Sequence, residues 1–304
     1  MKILVTGGSG FIGQELLKHL ATHQLVLLTR NVVRARSALK HIAQTNISYI
    51  TTLSDLHDLN CFDAVINLAG EPIIDKRWTT KQKQVLCDSR WTITERLVEL
   101  IHASTEPPGT FLSGSAVGYY GCQFDQPFDE NLHVNQEHFS HRLCSEWEHI
   151  AMRARTPDIR VCLLRTGIVL KADGGALGKM LLPFKFGLGG KIGTGTQYMP
   201  WIHMQDMVRG ILYLLKTPHA HGTFNLCAPH PVTNDDFSCT LAKCVKRPCL
   251  MTTPTWLIKL AMGERSQLLL DSVRAKPKRL TELGFEFNFS RLEPALKNLL
   301  HLSQ

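Results

Sequence analysis

The segment that most constrains the fold lies near the amino terminus and reads Thr6-Gly7-Gly8-Ser9-Gly10-Phe11-Ile12-Gly13. It follows a short apolar run at residues 2–5 and precedes a helical pattern over residues 13–21. Glycine permits a tight turn and a close approach of the backbone to a pyrophosphate, and the helix start offers N–H groups to the phosphates. The strand before it and the helix after it favour a dinucleotide-binding turn over a simple glycine-rich turn.

Short apolar runs alternate with helical patterns through the first half of the chain. Strands are predicted at residues 2–5, 25–28, 47–51, 64–68, 110–113 and 160–165, with a helical pattern over 80–103. Parallel strands joined by right-handed helical crossovers need helices on both faces of the sheet. The pattern therefore predicts an α/β fold with a Rossmann-type doubly wound parallel sheet.

The 304 residues leave room for a second, smaller lobe. We predict an NADP-binding Rossmann domain over residues 1–170, to which residues 206–228 return, and a smaller substrate lobe over residues 171–304. Glycines recur between 187 and 195 in this lobe, and glycine raises the freedom of an unbound loop. This segment is predicted to be a mobile cover over the substrate cleft, with a rigid connection between the lobes as the alternative.

The second predicted strand ends in Thr29-Arg30, with Arg34 and Arg36 close behind. Proteins that bind NAD usually carry Asp or Glu here, because a carboxylate binds the ribose 2′-hydroxyl. A guanidinium instead suits the 2′-phosphate of NADP, to which it donates charge-assisted hydrogen bonds. The sequence therefore predicts NADP(H) as the cofactor, and the alternative is that these arginines only cap and solvate the next helix.

Composition excludes several classes of partner. The net charge of +8 is spread along the chain without a basic run that carries stacking aromatics, which argues against nucleic acid and favours a phosphorylated ligand. The nine cysteines form no CxxC pair or ligand group, so we expect no metal site, a reduced compartment and cysteines that act as buried hydrophobes. With no apolar run of about 18 residues and no room for a leader, we expect no membrane association and a cytoplasmic location.

Further segments complete a family resemblance. They are residues 67–70, 68–72, 115–121, 164–170, 182–190 and 199–206, with 277–279 and 283–285 near the carboxyl end. Together with the glycine turn, they resemble the extended short-chain dehydrogenases/reductases. Within that group, the chain is similar to the atypical NAD-dependent epimerase/dehydratase family, in the sugar-nucleotide epimerase-like branch with a C-terminal domain of unknown function. The resemblance covers nearly the whole chain.

The resemblance implies a set of cofactor contacts and a substrate class. The implied contacts are Gly7, Ser9, Gly10, Phe11, Ile12, Gly13, Thr29, Arg30, Leu68, Ala69, Gly70, Arg90 and Val169. Arg90 has the alternative of being a surface residue of the helix after the fourth strand. The implied partner is a small-molecule substrate, with a nucleotide sugar as one candidate, and a homo-oligomer is a further candidate.

One departure from the family pattern concerns the chemistry. The family normally carries Tyr-x-x-x-Lys, in which the lysine lowers the tyrosine pKa for proton exchange, but residues 139–148 contain no such pair. The candidate replacements follow the fourth and fifth strands and are Ser115, Glu71, Tyr119 and Tyr120. Each has packing or turn structure as its alternative.

Two functions remain open from the sequence. The leading one is an NADP(H)-dependent oxidoreductase or epimerase-like enzyme that acts at a carbon bearing a hydroxyl or carbonyl. The alternative is a non-catalytic NADP(H)-sensing protein that lost the Tyr/Lys pair. His203 and Asp206 are interpreted as structural residues rather than as a metal site, because the histidine ends an apolar run.

Overall fold

The computed structural model describes residues 1–42, 46–123 and 125–302. Strands form at β1 (Lys2–Thr6), β2 (Gln24–Leu28), β3 (Ile47–Ile50), β4 (Ala64–Asn67), β5 (Thr110–Ala116), β6 (Arg160–Thr166), β7 (Ile168–Lys171), β8 (Gly190–Ile192), β9 (Tyr198–Met199), β10 (Trp201–His203), β11 (Gly222–Leu226), β12 (Val232–Thr233) and β13 (Met251–Thr253).

Helices form at α1 (Phe11–Lys18), α2 (Val32–Ala38), α3 (Thr80–Asp88), α4 (Trp91–Ala103), α5 (Phe139–Met152), α6 (Gly175–Lys185), α7 (Met204–Lys216), α8 (Asn234–Cys244), α9 (Thr255–Met262), α10 (Gln267–Leu270), α11 (Lys278–Glu282) and α12 (Leu292–Leu299). Short 3₁₀ turns occur at Leu53–Asp55, Val117–Tyr120 and Gly263–Ser266. Across the described ranges, no helix has both the length and the apolar content to span a bilayer.

Within the described residues, the centre of the molecule is a seven-stranded sheet in the order β11-β6-β5-β4-β1-β2-β3. Every neighbouring pair in this sheet is parallel. From β1 the chain builds outward through β2 and β3 and then returns to place β4 on the other side of β1. This strand order is that of a doubly wound sheet, so the prediction of a Rossmann-type doubly wound fold is confirmed. Sheets of this kind bind ligands at the point where the strand order reverses.

Helices cover both faces of the sheet. On one face, Leu16 and Leu17 of α1 and Ile211 of α7 pack on the strands. On the other face, Leu97 of α4 and Ile150 of α5 belong to a second apolar cluster. Because the strands are covered on both sides, they read as continuous apolar runs rather than alternating ones.

The helical pattern predicted over residues 80–103 is divided in the structure into two helices, α3 and α4. The break falls at Ser89 and Arg90, where Ser89 Oγ donates to the Leu86 carbonyl and accepts the Glu71 N–H. Arg90 Nη1 also donates to the Leu86 carbonyl, at 3.0 Å. Side chains that bond the last carbonyls of α3 compete with the helix backbone, so the helix ends.

The second lobe is built from short strand pairs and a third apolar cluster that includes Phe184, Trp201 and Phe237. The prediction of a mobile cover implies that the glycine-rich segment at residues 187–195 is a free loop, but part of this segment is paired in the structure. Its residues Gly190–Ile192 pair in parallel with Met251–Thr253, and the Gly193 N–H donates to the Thr253 carbonyl. Backbone hydrogen bonds therefore fix this segment to a neighbouring strand.

Residues of the predicted returning segment rejoin the sheet, because β11 lies beside β6 with Gly222 opposite Cys162. The limits predicted for the two lobes, at residues 170 and 171, stay a prediction. The cysteine prediction was wrong at two positions, since Cys61 and Cys239 are exposed.

Candidate active site

The glycine turn after β1 is closed against its neighbours. Gly7 has φ of +70°, and a Cβ there would lie 2.5 Å from the carbonyl oxygen of Leu68. A Cβ at Gly13 would lie 2.3 Å from the Gly7 carbonyl oxygen. Only glycine fits these positions, and Gly10 then starts α1 without a side chain over the helix N-terminus. The turn has the shape needed to admit a pyrophosphate.

The segment after β4 lies directly beside this turn. The Leu68 N–H donates to the Thr6 carbonyl at 3.1 Å, and the Ala69 N–H donates to Thr6 Oγ1 at 3.2 Å. Thr6 Oγ1 in turn donates to Asn67 Oδ1. These bonds hold Leu68, Ala69 and Gly70 at the same sheet edge as the glycine turn. The two segments that are predicted to contact the cofactor therefore lie side by side.

The Arg90 side chain packs against Gly70 and hydrogen-bonds to the residue that follows it. Its Nη2 donates to the Glu71 carbonyl at 3.1 Å, and a Cβ on Gly70 would lie 2.8 Å from Arg90 Cζ. The guanidinium also stands over the Trp147 ring at 5.3 Å. Burial lowers the pKa of Arg90. Arg90 is therefore half-buried and bonded to the loop rather than the surface helix residue of the alternative interpretation, and its contact with the cofactor stays a prediction.

The predicted 2′-phosphate contacts follow β2. Leu28 pairs with Thr6, so Thr29 and Arg30 begin at the same level of the sheet as the glycine turn. Thr29 Oγ1 bonds to the backbone of Asn31, and the Asn31 side chain caps α2. The Arg30 side chain is exposed.

Two of the predicted cofactor contacts, Phe11 and Val169, lie close to the start of α6. The exposed Phe11 ring packs against the start of α6, where a Cβ at Gly175 would lie 2.8 Å from Phe11 Cζ and 3.4 Å from the Val169 carbonyl oxygen. Val169 itself is buried in β7. Of the remaining turn residues, the Ser9 carbonyl accepts from Gln14 Nε2, and Ile12 packs against the first apolar cluster.

A buried polar network lies at the ends of β5 and β6. Ser115 Oγ donates to Glu148 Oε1 at 2.6 Å. Arg165 donates through Nε and Nη2 to the two oxygens of Glu148, each at 2.7 Å. Ser115, Arg165 and Glu148 are 4%, 4% and 6% exposed. This bidentate pair keeps Glu148 as an acceptor and directs the Ser115 proton toward it.

Sequence reasoning missed Glu148 and Arg165 as part of this site. Glu148 is the last residue of the segment that was searched for Tyr-x-x-x-Lys, and Arg165 ends the sixth predicted strand. The available signal was an arginine at the end of an apolar strand, because a charge that is buried there needs a partner of opposite charge.

The two tyrosines have different surroundings. Tyr119 packs its ring on the Arg165 guanidinium, with Cζ 3.4 Å from the ring centroid, so it joins the Ser115 network. Tyr120 is fully buried, its hydroxyl donates to Asn225 Oδ1 at 2.8 Å, and burial raises its pKa to about 12. The Tyr120 phenol is therefore held in the core as a neutral donor, and its catalytic role stays a prediction.

The hydrogen-bond and ion-pair partners of Glu71 are not members of this network. Its carboxylate pairs with Lys76 at 2.9 Å, and its backbone accepts from Arg90. The structure therefore brings Ser115 and Tyr119 together around Arg165 and binds Glu71 into the loop after β4.

The face of α5 toward the turn after β5 presents a hydroxyl and a thiol. A Cβ at Gly118 would lie 3.3 Å from Ser140 Cβ and 3.8 Å from Cys144 Sγ. Ser140 and Cys144 are four positions apart, the spacing of the family's missing tyrosine and lysine. Burial raises the pKa of Cys144 to about 12, so this thiol stays neutral.

His203 and Asp206 are structural, as the sequence analysis favoured. His203 Nδ1 accepts the Gln205 N–H at the start of α7, and its ring stacks on Phe289. Asp206 accepts the N–H groups of Asn288 and Phe289. Across residues 1–42, 46–123 and 125–302, no three His, Cys, Asp or Glu side chains gather as metal ligands would.

Comparison with known proteins now places this geometry in a family. The model of the NAD dependent epimerase/dehydratase family matches residues 3–227. The chain belongs to that family. A second model, a domain of unknown function called DUF1731, matches residues 253–299, so the epimerase-like resemblance found in the sequence is confirmed.

Individual relatives extend over the whole chain. An epimerase family protein of Staphylococcus haemolyticus, SH2119, is 36% identical over 303 residues, covering 98% of this chain and 99% of its own. The human epimerase family protein SDR39U1, solved with NADPH, is 31% identical with a TM-score of 0.88, covering 99% of both chains. A nucleoside-diphosphate sugar epimerase of Corynebacterium glutamicum is 27% identical with a TM-score of 0.77, and the match covers 99% of this chain and 58% of that one.

Proposed function

We propose that this chain is an NADP(H)-dependent oxidoreductase or epimerase-like enzyme that acts at a carbon bearing a hydroxyl or carbonyl. The observation that carries the proposal is Thr29-Arg30 at the end of β2, at the same level of the sheet as the glycine turn. An exposed guanidinium there suits a 2′-phosphate, which a carboxylate would repel. The NADPH in the human relative supports the same choice of cofactor.

The residues around Ser115 fit a role in holding the reacting oxygen. When bound, the nicotinamide supplies or accepts the hydride. Because the Ser115 proton is engaged by Glu148, the Oγ lone pairs are left to accept a hydrogen bond from a substrate hydroxyl. Arg165 holds Glu148 in place, and the Tyr119 ring covers the guanidinium. A nucleotide sugar is a candidate substrate, since the Corynebacterium glutamicum neighbour is a nucleoside-diphosphate sugar epimerase.

Replacing Arg30 with alanine is expected to weaken NADPH binding by about 10- to 150-fold and to leave NADH binding unchanged. The reason is the loss of one charge-assisted contact, which contributes about 1.5–3 kcal/mol. Fluorescence titration of both cofactors measures the effect. Arg155→Ala, at an exposed arginine beyond the end of α5, is the matched control and should alter neither affinity. Equal affinities of the unmodified protein for NADPH and NADH would contradict the choice of NADP.

Replacing Ser115 with alanine is expected to lower kcat by about 100-fold while the Kd for NADPH stays unchanged, because a positioned hydrogen-bonding group acts on the reacting oxygen. NADPH oxidation is first measured with the unmodified protein and a panel of carbonyl compounds and nucleotide sugars. The variant is then compared on the best substrate found. A variant that keeps full kcat would remove Ser115 from the reaction.

A second candidate function, a non-catalytic NADP(H) sensor, is favoured by the face of α5. Ser140 and Cys144 stand there at the spacing of the missing tyrosine and lysine. Tight NADPH binding together with no turnover across the whole panel would favour the sensor over the enzyme. Turnover of any compound in the panel would exclude the sensor.

A further inference from the structure

Two cysteines meet at the surface of the second lobe. Cys239 lies in α8, and Cys249 lies ten positions later, shortly before β13, with the two Sγ atoms 2.7 Å apart. Cys239 is exposed, and Cys249 is half-buried against the third apolar cluster. Two sulfur atoms at this separation are closer than their van der Waals contact, so the two side chains reach each other without a movement of the chain.

The two thiols have different surroundings. Asp235 lies one turn earlier in α8, with Oδ1 3.8 Å from Cys239 Sγ, and its carboxylate pairs with Lys191 at 3.7 Å. Burial, together with the hydrogen bond and charge interaction with Cys239, raises the pKa of Cys249 to about 12. Cys239 is the more exposed of the two thiols, so it is the one that a small disulfide can reach, and a thiolate is the form that attacks a disulfide.

We propose that Cys239 and Cys249 form a reversible disulfide site that low-molecular-weight disulfides oxidise. The Cys239 thiolate attacks one sulfur of the small disulfide, forming a mixed disulfide and releasing one small thiol. Cys249 then loses its proton and attacks Cys239 Sγ, which forms the internal bond and releases the second small thiol. The protein loses two electrons and two protons, and the small disulfide gains them.

The bond would tie the end of one strand pair to α8. Cys249 leads into β13, and β13 pairs with β8 along Gly190–Ile192. Ile192, Gly193 and Thr255 are among the residues that line a cavity of about 610 Å³, to which Cys122 also contributes. Oxidation would therefore tether the β8–β13 strand pair, which contributes to the cavity wall, to α8.

The test is to equilibrate the full-length protein with oxidised glutathione in excess of reduced glutathione and to map its peptides without reduction. We expect a Cys239–Cys249 cross-link, a fall in free thiols from nine to seven, and full reversal by reduced glutathione. The oxidised form should also melt at a higher temperature, by on the order of 5 °C, because the cross-link restricts the unfolded chain.

Two variants and one control complete the experiment. Cys239→Ser and Cys249→Ser should each abolish the internal cross-link and the rise in melting temperature. Cys61→Ser, at another exposed cysteine, should preserve both. Nine free thiols after equilibration, or a stable glutathione adduct on Cys239 in the unmodified protein, would overturn the proposal.

Discussion

Replacing Glu148 with alanine is expected to lower the free energy of unfolding by about 3–5 kcal/mol. Glu148 is the bidentate partner of Arg165, and both side chains are buried with N–O distances of 2.7 Å. Without the carboxylate, the guanidinium would remain in the interior with its charge unpaired, and that desolvation is what makes the loss large. Urea unfolding of the unmodified protein and the variant measures the difference.

An exposed ion pair supplies the control for this variant. Lys83 and Glu264 approach to 2.6 Å but are 27% and 42% exposed, so Glu264→Ala should cost no more than about 1 kcal/mol. Combining Glu148→Leu with Arg165→Met should recover most of the stability, because it removes both buried charges. Similar losses for Glu148→Ala and Glu264→Ala would contradict a buried charge at Arg165.

Replacing Gly13 with alanine is expected to raise the Kd for NADPH by at least about 100-fold. A Cβ at this position would lie 2.3 Å from the Gly7 carbonyl oxygen and 2.7 Å from Gly8 Cα. Since these are backbone atoms, the turn itself must move, and the N–H groups that it directs at the phosphates move with it. Fluorescence titration with NADPH measures the loss.

The glycine variant needs a control for folding as well as for binding. Gly109→Ala places its Cβ 3.8 Å from the nearest atom, the Asp158 carbonyl oxygen, and should bind NADPH as the unmodified protein does. The melting temperature of Gly13→Ala, measured beside the titration, separates a displaced turn from an unfolded chain. A folded variant that binds NADPH within about threefold of the unmodified protein would show that the turn is not at the phosphates.

Much of the sheet could be predicted from the sequence because its signals are local. Apolar runs of β1, β4 and β6 are covered on both faces, so their periodicity alone identified them within one or two residues. The glycine turn was predictable in part for the same reason, since Gly13 is crowded by Gly7 and Gly8 of the same turn, whereas Gly7 is crowded by Leu68, which lies far along the chain.

The sequence pattern did not predict features that depend on contacts between residues far apart in the chain. The 80–103 pattern is helical on both sides of Arg90, and it does not show that Ser89 and Arg90 bond the Leu86 carbonyl while they also hold Glu71, 18 and 19 positions earlier. Tyr120 looked like its neighbour Tyr119 in the sequence, but its partner Asn225 is 105 positions away and holds it in the core.

The sheet, the glycine turn and the family could be predicted from the sequence, because steric limits and apolar periodicity act largely between neighbouring residues. Tertiary structure alone decided which polar groups meet. Ser115 reaches Glu148 across 33 positions, and Arg165 reaches it across 17, since the parallel register of β5 and β6 sets Ser115 opposite Arg165 and α5 packs over both. A buried charge must find its partner in the folded chain, and the residues that supply it need no local pattern.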